Sequence, residues 1–176
     1  MIDIRGLAYV VAQSTDLPRW KRYAEGVLGM MTATAPGDGL YVKMDERQYR
    51  MLVLPGARDA YLASGWEVLD RAAFEAGLGV LKAQGVAFEL ADASLCDQRR
   101  VQQLAAFKDP SGNRHELVWG FQSDFAHFAS PAGVKRFVTG AIGMGHTVLP
   151  AAEFEATARF AREVMGFGLS DIFNFK

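Results

Sequence analysis

His146 is the side chain in this sequence best suited to metal chemistry. It lies in the segment 143–148, where period-two alternation would place it on one strand face together with Met144 and Val148. If that face lines a cleft, the imidazole is a candidate metal ligand. A lone strand histidine is more often an ordinary core or surface residue, so the pattern alone leaves both interpretations open. His127, in a stretch without periodicity, is interpreted as a loop residue.

The elements that would position these side chains form two similar runs. The first predicts a strand, a helix and three strands: 6–12, a helix ending at Gly29, then 30–34, 40–45 and 49–54. The second predicts the same order: 66–69, a helix begun by Asp70 and ended at Gly85, then 86–90, 104–107 and 114–119. Two such β-α-β-β-β units can curl around a shared cleft, so we expect an α+β fold with one complete domain.

An internal repeat indicates that a second domain has begun. Displacing the chain by 137 positions places residues 6–31 over residues 143–168 without a gap and matches Gly29 with Gly166. We therefore predict a domain at 1–122, a connector at 123–141 and the start of another domain at 142–176. That start should comprise a strand, a helix through Met165 and the beginning of a strand at 169–175.

The repeat also aligns Tyr9 with His146, so the first copy lacks the imidazole. Glu116 lies in the last predicted strand of the first domain, on the face opposite to His115. Without an imidazole partner at position 9, Glu116 is better explained as a buried pair or a solvated residue than as a metal ligand. We expect the first domain to be free of metal.

The composition excludes several classes of function. The 176 residues are 50% hydrophobic, with 19 Lys and Arg against 20 Asp and Glu, which is typical of a folded domain and gives no basic field for nucleic acid. The sequence has no apolar run long enough for a membrane span and no secretory signal, so we expect a cytoplasmic protein. Cys96 is the single cysteine and is interpreted as a reduced thiol.

Several motifs resemble type I extradiol dioxygenases of the vicinal oxygen chelate superfamily. The resemblance rests on the duplicated units, on the turn Asp109-Pro110-Ser111-Gly112-Asn113 before a strand carrying a glutamate, and on Arg136-Phe137-Val138-Thr139-Gly140 leading into Gly143-Met144-Gly145-His146. It extends over all 176 residues and is closest to the dihydroxybiphenyl and dihydroxy-seco-steroid dioxygenases.

The resemblance implies Fe(II)-dependent extradiol cleavage of a catechol-type ring by O2. In that family a metal-free first domain precedes a second domain that holds Fe(II) by two histidines and one glutamate, leaving positions open for a catechol and dioxygen. His146 matches the first of these ligands, and Val148 and Phe175 match positions that line the substrate pocket. The other ligands would lie beyond Lys176, so we expect the 176-residue chain to be inactive by itself. Related enzymes form homo-oligomers.

Other functions are compatible with the same fold. One is a metal-free binding module, similar to bleomycin-resistance proteins, that closes over an apolar ligand with Trp66, Tyr9 and Phe121. Another is a glyoxalase-like lyase or isomerase with a divalent metal at a site shared between two chains. A third is a scaffold that only supports an oligomer.

Overall fold

The computed structural model of the chain describes residues 1–173. The first unit comprises β1 (Gly6–Ser14), α1 (Leu17–Tyr23), a π-helical turn (Ala24–Leu28), β2 (Met31–Ala35), β3 (Gly39–Lys43) and β4 (Met51–Pro55). The second unit comprises β5 (Ala60–Glu67), α2 (Arg71–Ala83), β6 (Phe88–Leu90), α3 (Ala93–Arg99), β7 (Gln103–Lys108) and β8 (Arg114–Trp119). A short 3-10 helix (Gly140–Ile142) and α4 (Phe154–Glu163) follow.

The strands of the described residues form one eight-stranded sheet in the order β2-β3-β4-β1-β5-β8-β7-β6. Within each unit the first strand pairs in parallel with the last, β1 with β4 and β5 with β8. The two units join where β1 pairs antiparallel with β5, with Tyr9 opposite Gly65. The sheet therefore brings the two units together at their first strands.

Aspartates begin three of the helices, and each satisfies a backbone N–H that the first turn would otherwise leave free. Asp16 accepts from the Arg19 amide, Asp70 from the Ala73 amide and Asp92 from the Leu95 amide, each over 2.8 Å. The helix start predicted at Asp70 is thereby explained.

The two faces of the sheet bury different side chains. One face holds a core shared by both units, formed around the buried rings of Tyr9, Tyr41, Tyr49 and Phe121. On the other face α1 packs over the first unit, and α2 and α4 pack over the second. Neighbouring residues in β8 illustrate the division, because Glu116 points into the shared core and His115 points to the opposite face.

Three details of the sequence-based prediction are wrong. β5 begins at Ala60 rather than Trp66, and α3 was not predicted. The spacing of Trp20, Tyr23, Ala24, Val27 and Leu28 predicts one apolar stripe on the first helix, but Tyr23 and Val27 are exposed. The cause is the π-helical turn after Tyr23, which changes the angular spacing on which a 3.6-residue stripe depends.

The helical half of the repeat is present in the structure. α4 begins at Phe154, 137 positions after Leu17, where α1 begins. Gly29 and Gly166 both have a left-handed backbone, with φ of 68° and 76°. The same hydrogen bond also follows each helix, from the Met30 amide to the Ala24 carbonyl and from the Phe167 amide to the Ala161 carbonyl, both over 2.9 Å.

The strand half of the second copy does not form as predicted. Gly143 makes an isolated parallel bridge with Leu7, but the structure describes no strand over 144–151 or over 169–173. The remainder of the strand expected at 169–175 lies outside the described residues. A strand needs a partner edge, and the first unit offers this segment a single bridge.

α4 packs on the second unit of the sheet. Phe160, Val164 and Met165 are buried, and the Phe167 ring lies 4.8 Å from the Trp66 ring. The Ile2 amide also donates to the Val164 carbonyl over 2.8 Å. The helix of the second copy therefore docks on the first domain. The division at residues 122 and 142 stays a prediction.

Among residues 1–173, no helix combines the length and the apolar character needed to cross a bilayer.

Candidate functional site

The carboxylate of Glu116 is the centre of a buried polar network in the shared core. Glu116 is fully buried, and its Oε2 accepts from the Tyr9 hydroxyl over 2.8 Å and from Arg99 Nε over 3.0 Å. Its Oε1 accepts from Arg114 Nε over 3.1 Å. Arg99 reaches the carboxylate from α3, and Tyr49 donates to the Arg99 carbonyl over 2.9 Å.

Burial and charge shift the pKa of two of the groups that donate to Glu116. Burial raises the pKa of Tyr9 well above its usual value, and the Glu116 charge adds to that effect, so the phenol stays a neutral donor. Burial acts to lower the pKa of Arg99, but the charge and hydrogen bond of Glu116, together with Tyr9 and Tyr49, raise it overall. Glu116 is therefore a buried pair, one of the two interpretations that the sequence favoured.

These residues do not fit a metal. The Glu116 oxygens are already used by three protein donors, and position 9 carries a phenol that gives its proton to the carboxylate. A divalent cation here would have to displace Arg99, whose side chain is 6% exposed.

His146 lies on the surface next to the point where the second copy joins the sheet. The Met144 amide donates to the Leu7 carbonyl over 2.8 Å, and Ser64 Oγ lies 3.4 Å from Thr147 Oγ1. Alternation persists in part, because Thr147 points inward while His146 and Val148 are exposed. Val148 is 94% exposed, and Phe175 lies outside the described residues.

The part of the chain that the structure describes gives His146 no complete set of metal ligands. Residues 1–173 contain no group of three His, Cys, Asp or Glu side chains arranged to hold a metal ion. The imidazole is a suitable donor and is accessible, but one imidazole does not hold Fe(II) against water. The described residues by themselves therefore do not complete an iron site.

A second polar network connects the first domain with the second copy. The Trp66 indole N–H donates to His115 Nδ1 over 2.9 Å, and His115 Nε2 lies 3.3 Å from Asp109 Oδ2. Since Nδ1 accepts, Nε2 carries the proton and donates to Asp109. The Asn113 amide then donates to Asp109 Oδ2 and to the Pro150 carbonyl, each over 2.8 Å.

This network borders a cavity of about 160 Å³ between the sheet and α4. Thr147, Leu149 and Phe160 contribute to its lining, together with His115. Burial lowers the pKa of His115, against the opposing effect of Asp109. The sequence reveals the motif 109–113 but indicates only a turn, because its contacts lie 37 to 46 residues further along the chain.

The surface expected for a metal-free binding module is not available to a ligand. Trp66, Tyr9 and Phe121 are 9%, 0% and 4% exposed, because all three rings pack within the core. That prediction is therefore wrong for these residues.

Burial raises the pKa of the Cys96 thiol, which is consistent with an unreactive cysteine.

Comparison with known protein families supports the resemblance seen in the motifs. Residues 7–56 match the family described as "Dihydroxybiphenyl dioxygenase BphC D1". The chain is 40% identical over 171 residues to the "Iron-dependent extradiol dioxygenase" of Rhodococcus jostii (strain RHA1), covering 97% of the chain and 57% of that protein. It is 35% identical over 176 residues to the "Biphenyl-2,3-diol 1,2-dioxygenase" of Pseudomonas sp. (strain KKS102), covering 99% of the chain and 60% of that protein.

Solved structures give the same result for the fold. A crystal structure of catechol 2,3-dioxygenase superposes with a TM-score of 0.88 at 29% identity, covering 93% of this chain and 56% of that one. The predicted α+β fold of paired β-α-β-β-β units is thereby confirmed. The chain spans about three fifths of the length of the relatives it matches.

Proposed function

Because the chain is homologous to extradiol dioxygenases over nearly its whole length, we propose that these residues serve in an Fe(II)-dependent enzyme that cleaves a catechol-type ring with O2. The observation that carries this proposal is the similarity of 97% of the chain to an iron-dependent extradiol dioxygenase at 40% identity. A metal-free binding module is less well supported, since the aromatic surface it would use is buried.

His146 contributes one of the iron ligands in this proposal. Its imidazole is accessible, and it takes the place of Tyr9 in the repeat, where the phenol is committed to Glu116. The further ligands come from residues outside the described part of the chain. When bound, Fe(II) would offer open positions at which a catechol and O2 can be held side by side.

The substrate is a catechol-type aromatic compound. The names of the relatives support this class, since they include a 3-methylcatechol and a biphenyl-2,3-diol dioxygenase. Val148 is exposed on the same side as His146 and suits contact with an aromatic ring, and Phe175 is proposed for the same pocket.

The first domain has a structural role in this proposal. Glu116 accepts from Tyr9, Arg99 and Arg114, so the position that corresponds to His146 holds a closed hydrogen-bond network. We place the protein in the cytoplasm as a homo-oligomer without a nucleic-acid partner, in keeping with its near-zero net charge.

Oxygen uptake with a panel of catechols tests the proposal. The 176-residue chain, loaded with Fe(II), is compared with a fusion of this chain to the part of the Rhodococcus jostii relative that it does not match. We expect the fusion to consume O2 and catechol in equal amounts and the chain alone to consume none.

Two histidine variants of the fusion identify the ligand. Removing a residue that only hydrogen-bonds to a metal ligand costs about 10- to 100-fold, so loss of a direct ligand in His146→Ala should lower turnover more than about 100-fold. His127→Ala is the matched control, because that side chain is 94% exposed and should leave turnover unchanged. Full turnover by His146→Ala would refute the assignment of His146, and uptake of O2 by the 176-residue chain with 2,3-dihydroxybiphenyl would refute its predicted inactivity.

A further inference from the structure

The turn between β7 and β8 makes polar contacts with the second copy of the repeat at three points. The Asn113 side chain donates to the Pro150 carbonyl over 2.8 Å. Ser111 Oγ accepts from the Glu153 amide over 3.0 Å and lies 2.7 Å from Thr157 Oγ1. We propose that the turn 109–113 is a positioning device that fixes the second copy, and His146 with it, against the first domain.

Asn113 is suited to this role because its amide is held in one orientation. Asp109 Oδ1 accepts from the Asn113 backbone amide over 2.9 Å, and Oδ2 accepts one side-chain N–H over 2.8 Å. The other side-chain N–H is thereby directed at Pro150. Both groups are buried, Asp109 at 7% and Asn113 at 9% exposed, so water does not replace these bonds freely.

His115 holds the turn through its contact with Asp109. Its Nε2–H faces Asp109 Oδ2, and its Nδ1 is fixed by the Trp66 indole. The bonds therefore run without interruption from β5 through β8 and the turn to Pro150. Pro150 lies four residues after His146.

Ser111 performs the second part of this role at α4. The residue before this helix, Glu153, provides no side-chain cap, so the first turn lacks an acceptor of its own. Ser111 Oγ, from the first domain, accepts instead from the backbone amide of Glu153 and so satisfies the N–H at the start of the helix. The start of α4 is thus set by a residue that precedes it by more than 40 positions.

The segment carrying His146 is held between these contacts and β1. The Met144 amide bonds to Leu7 on one side of His146, and Pro150 bonds to Asn113 on the other. Loss of the hydrogen bond between Asn113 and Pro150 should make the segment around His146 more mobile, while β1 keeps its place in the sheet. That the turn positions His146 for metal binding rests on the proposed function. That the turn holds residues 144–157 against the first domain does not.

Amide hydrogen exchange of the 176-residue chain tests the anchoring. Asn113→Ala removes the donor to Pro150, and Ser111→Ala removes the cap of α4 while leaving the turn intact. We expect exchange at residues 144–157 to become about 2- to 12-fold faster, the range that one net hydrogen bond gives. Exchange in β1 and β8 should stay within about twofold of the parent chain.

Matched variants separate positioning from general loss of stability. Ser111→Thr keeps the hydroxyl and should restore the parent exchange at 144–157. Asp70→Ala removes the N-cap acceptor of α2, a bond that stays within that helix, and should accelerate exchange in α2 but not at 144–157. Unchanged exchange at 144–157 in both Asn113→Ala and Ser111→Ala, or equal acceleration in β1 and β8, would overturn the proposal.

Hydrogen exchange and turnover of His146→Ala distinguish a failure of the anchoring proposal from a failure of the proposed function. His146→Ala leaves every anchoring contact in place, so exchange at 144–157 should match the parent chain whether or not His146 binds iron. Turnover of the fusion, by contrast, responds to His146→Ala only if the proposed function is correct.

Discussion

A buried carboxylate with three donors is a structural group, and Glu116 shows how its neighbours decide that role. Tyr9 and Arg99 both bond to Oε2, so the charge of Glu116 is balanced within the core. Removing the charge from one partner of a buried pair leaves the other uncompensated, which costs more than the pair contributes.

We therefore expect Glu116→Gln to lower the free energy of unfolding by about 3–5 kcal/mol, because Arg99 would keep a buried charge without its partner. Urea denaturation measures the change. Glu67→Gln is the control, since the Glu67–Arg47 pair is partly exposed and its loss should cost about 1 kcal/mol or less. If Glu116 were a metal ligand instead, a chelator would destabilise the parent chain to a similar extent.

His115 should make stability depend on pH in a window of its own. Burial lowers its pKa from the usual 6.5, so the unfolded chain binds more protons below about pH 6.5, and the free energy of unfolding falls as pH decreases through that value. The lowered carboxyl pKa of Asp45, where Arg50 outweighs burial, acts in the same direction but only below about pH 4.

Denaturation at pH 5 and pH 7 isolates the histidine. The difference in unfolding free energy should shrink in His115→Gln and persist in His127→Gln, whose side chain is exposed in the parent chain. An equal difference in the parent chain and in His115→Gln would contradict this explanation.

At the residue scale, the sequence predicts the buried pair of Glu116 but not its partners. Position 9 lacks an imidazole, which made a metal ligand implausible. Arg99 lies on α3, a seven-residue helix without enough turns for a periodic pattern, so its approach to Glu116 becomes visible only in the structure.

Among the elements, β1 and β5 depend on one glycine for their close approach. Tyr9 pairs with Gly65, and a Cβ at Gly65 would lie 2.4 Å from Tyr9 Cζ. The ring cannot move aside easily, because its hydroxyl is bonded to Glu116.

Gly65→Ala should therefore destabilise the chain by about 3 kcal/mol through overpacking. Gly79→Ala, at a helical position with nothing within 4 Å of the added carbon, should stabilise it by about 0.5–1 kcal/mol. Thermal denaturation compares the two variants. In a Tyr9→Leu background the cost of Gly65→Ala should be smaller, and an undiminished cost would show that Tyr9 is not the obstacle.

The helices of the repeat were easier to predict from sequence than its strands. The hydrogen bonds of α4 lie within its own segment, and Gly166 sets its end in the same way as Gly29 does for the first copy. The strand predicted at 143–148 needs hydrogen bonds from a partner, and only Gly143 pairs with β1 among the described residues. Period-two alternation therefore predicted that His146 and Val148 share a face, but neither the exposure of that face nor the ladder.

For the whole molecule, the fold could be predicted from the sequence, whereas the contacts around the candidate site become visible only in the structure. The sheet, its order and the α+β class follow from patterns that repeat along the chain, and solved dioxygenase structures share them. The contacts around the candidate site join groups far apart in sequence, such as Asn113 and Pro150. Sequence reasoning located His146 by its resemblance to the family, and no local pattern could have located the residues that anchor it.

The role of His146 as an iron ligand is tested most directly by the iron content of the fusion with the Rhodococcus jostii relative, measured after anaerobic loading with Fe(II) and removal of excess metal. We predict one iron per polypeptide for the parent fusion and for His127→Ala, and nearly none for His146→Ala. One iron per polypeptide in His146→Ala would contradict the account.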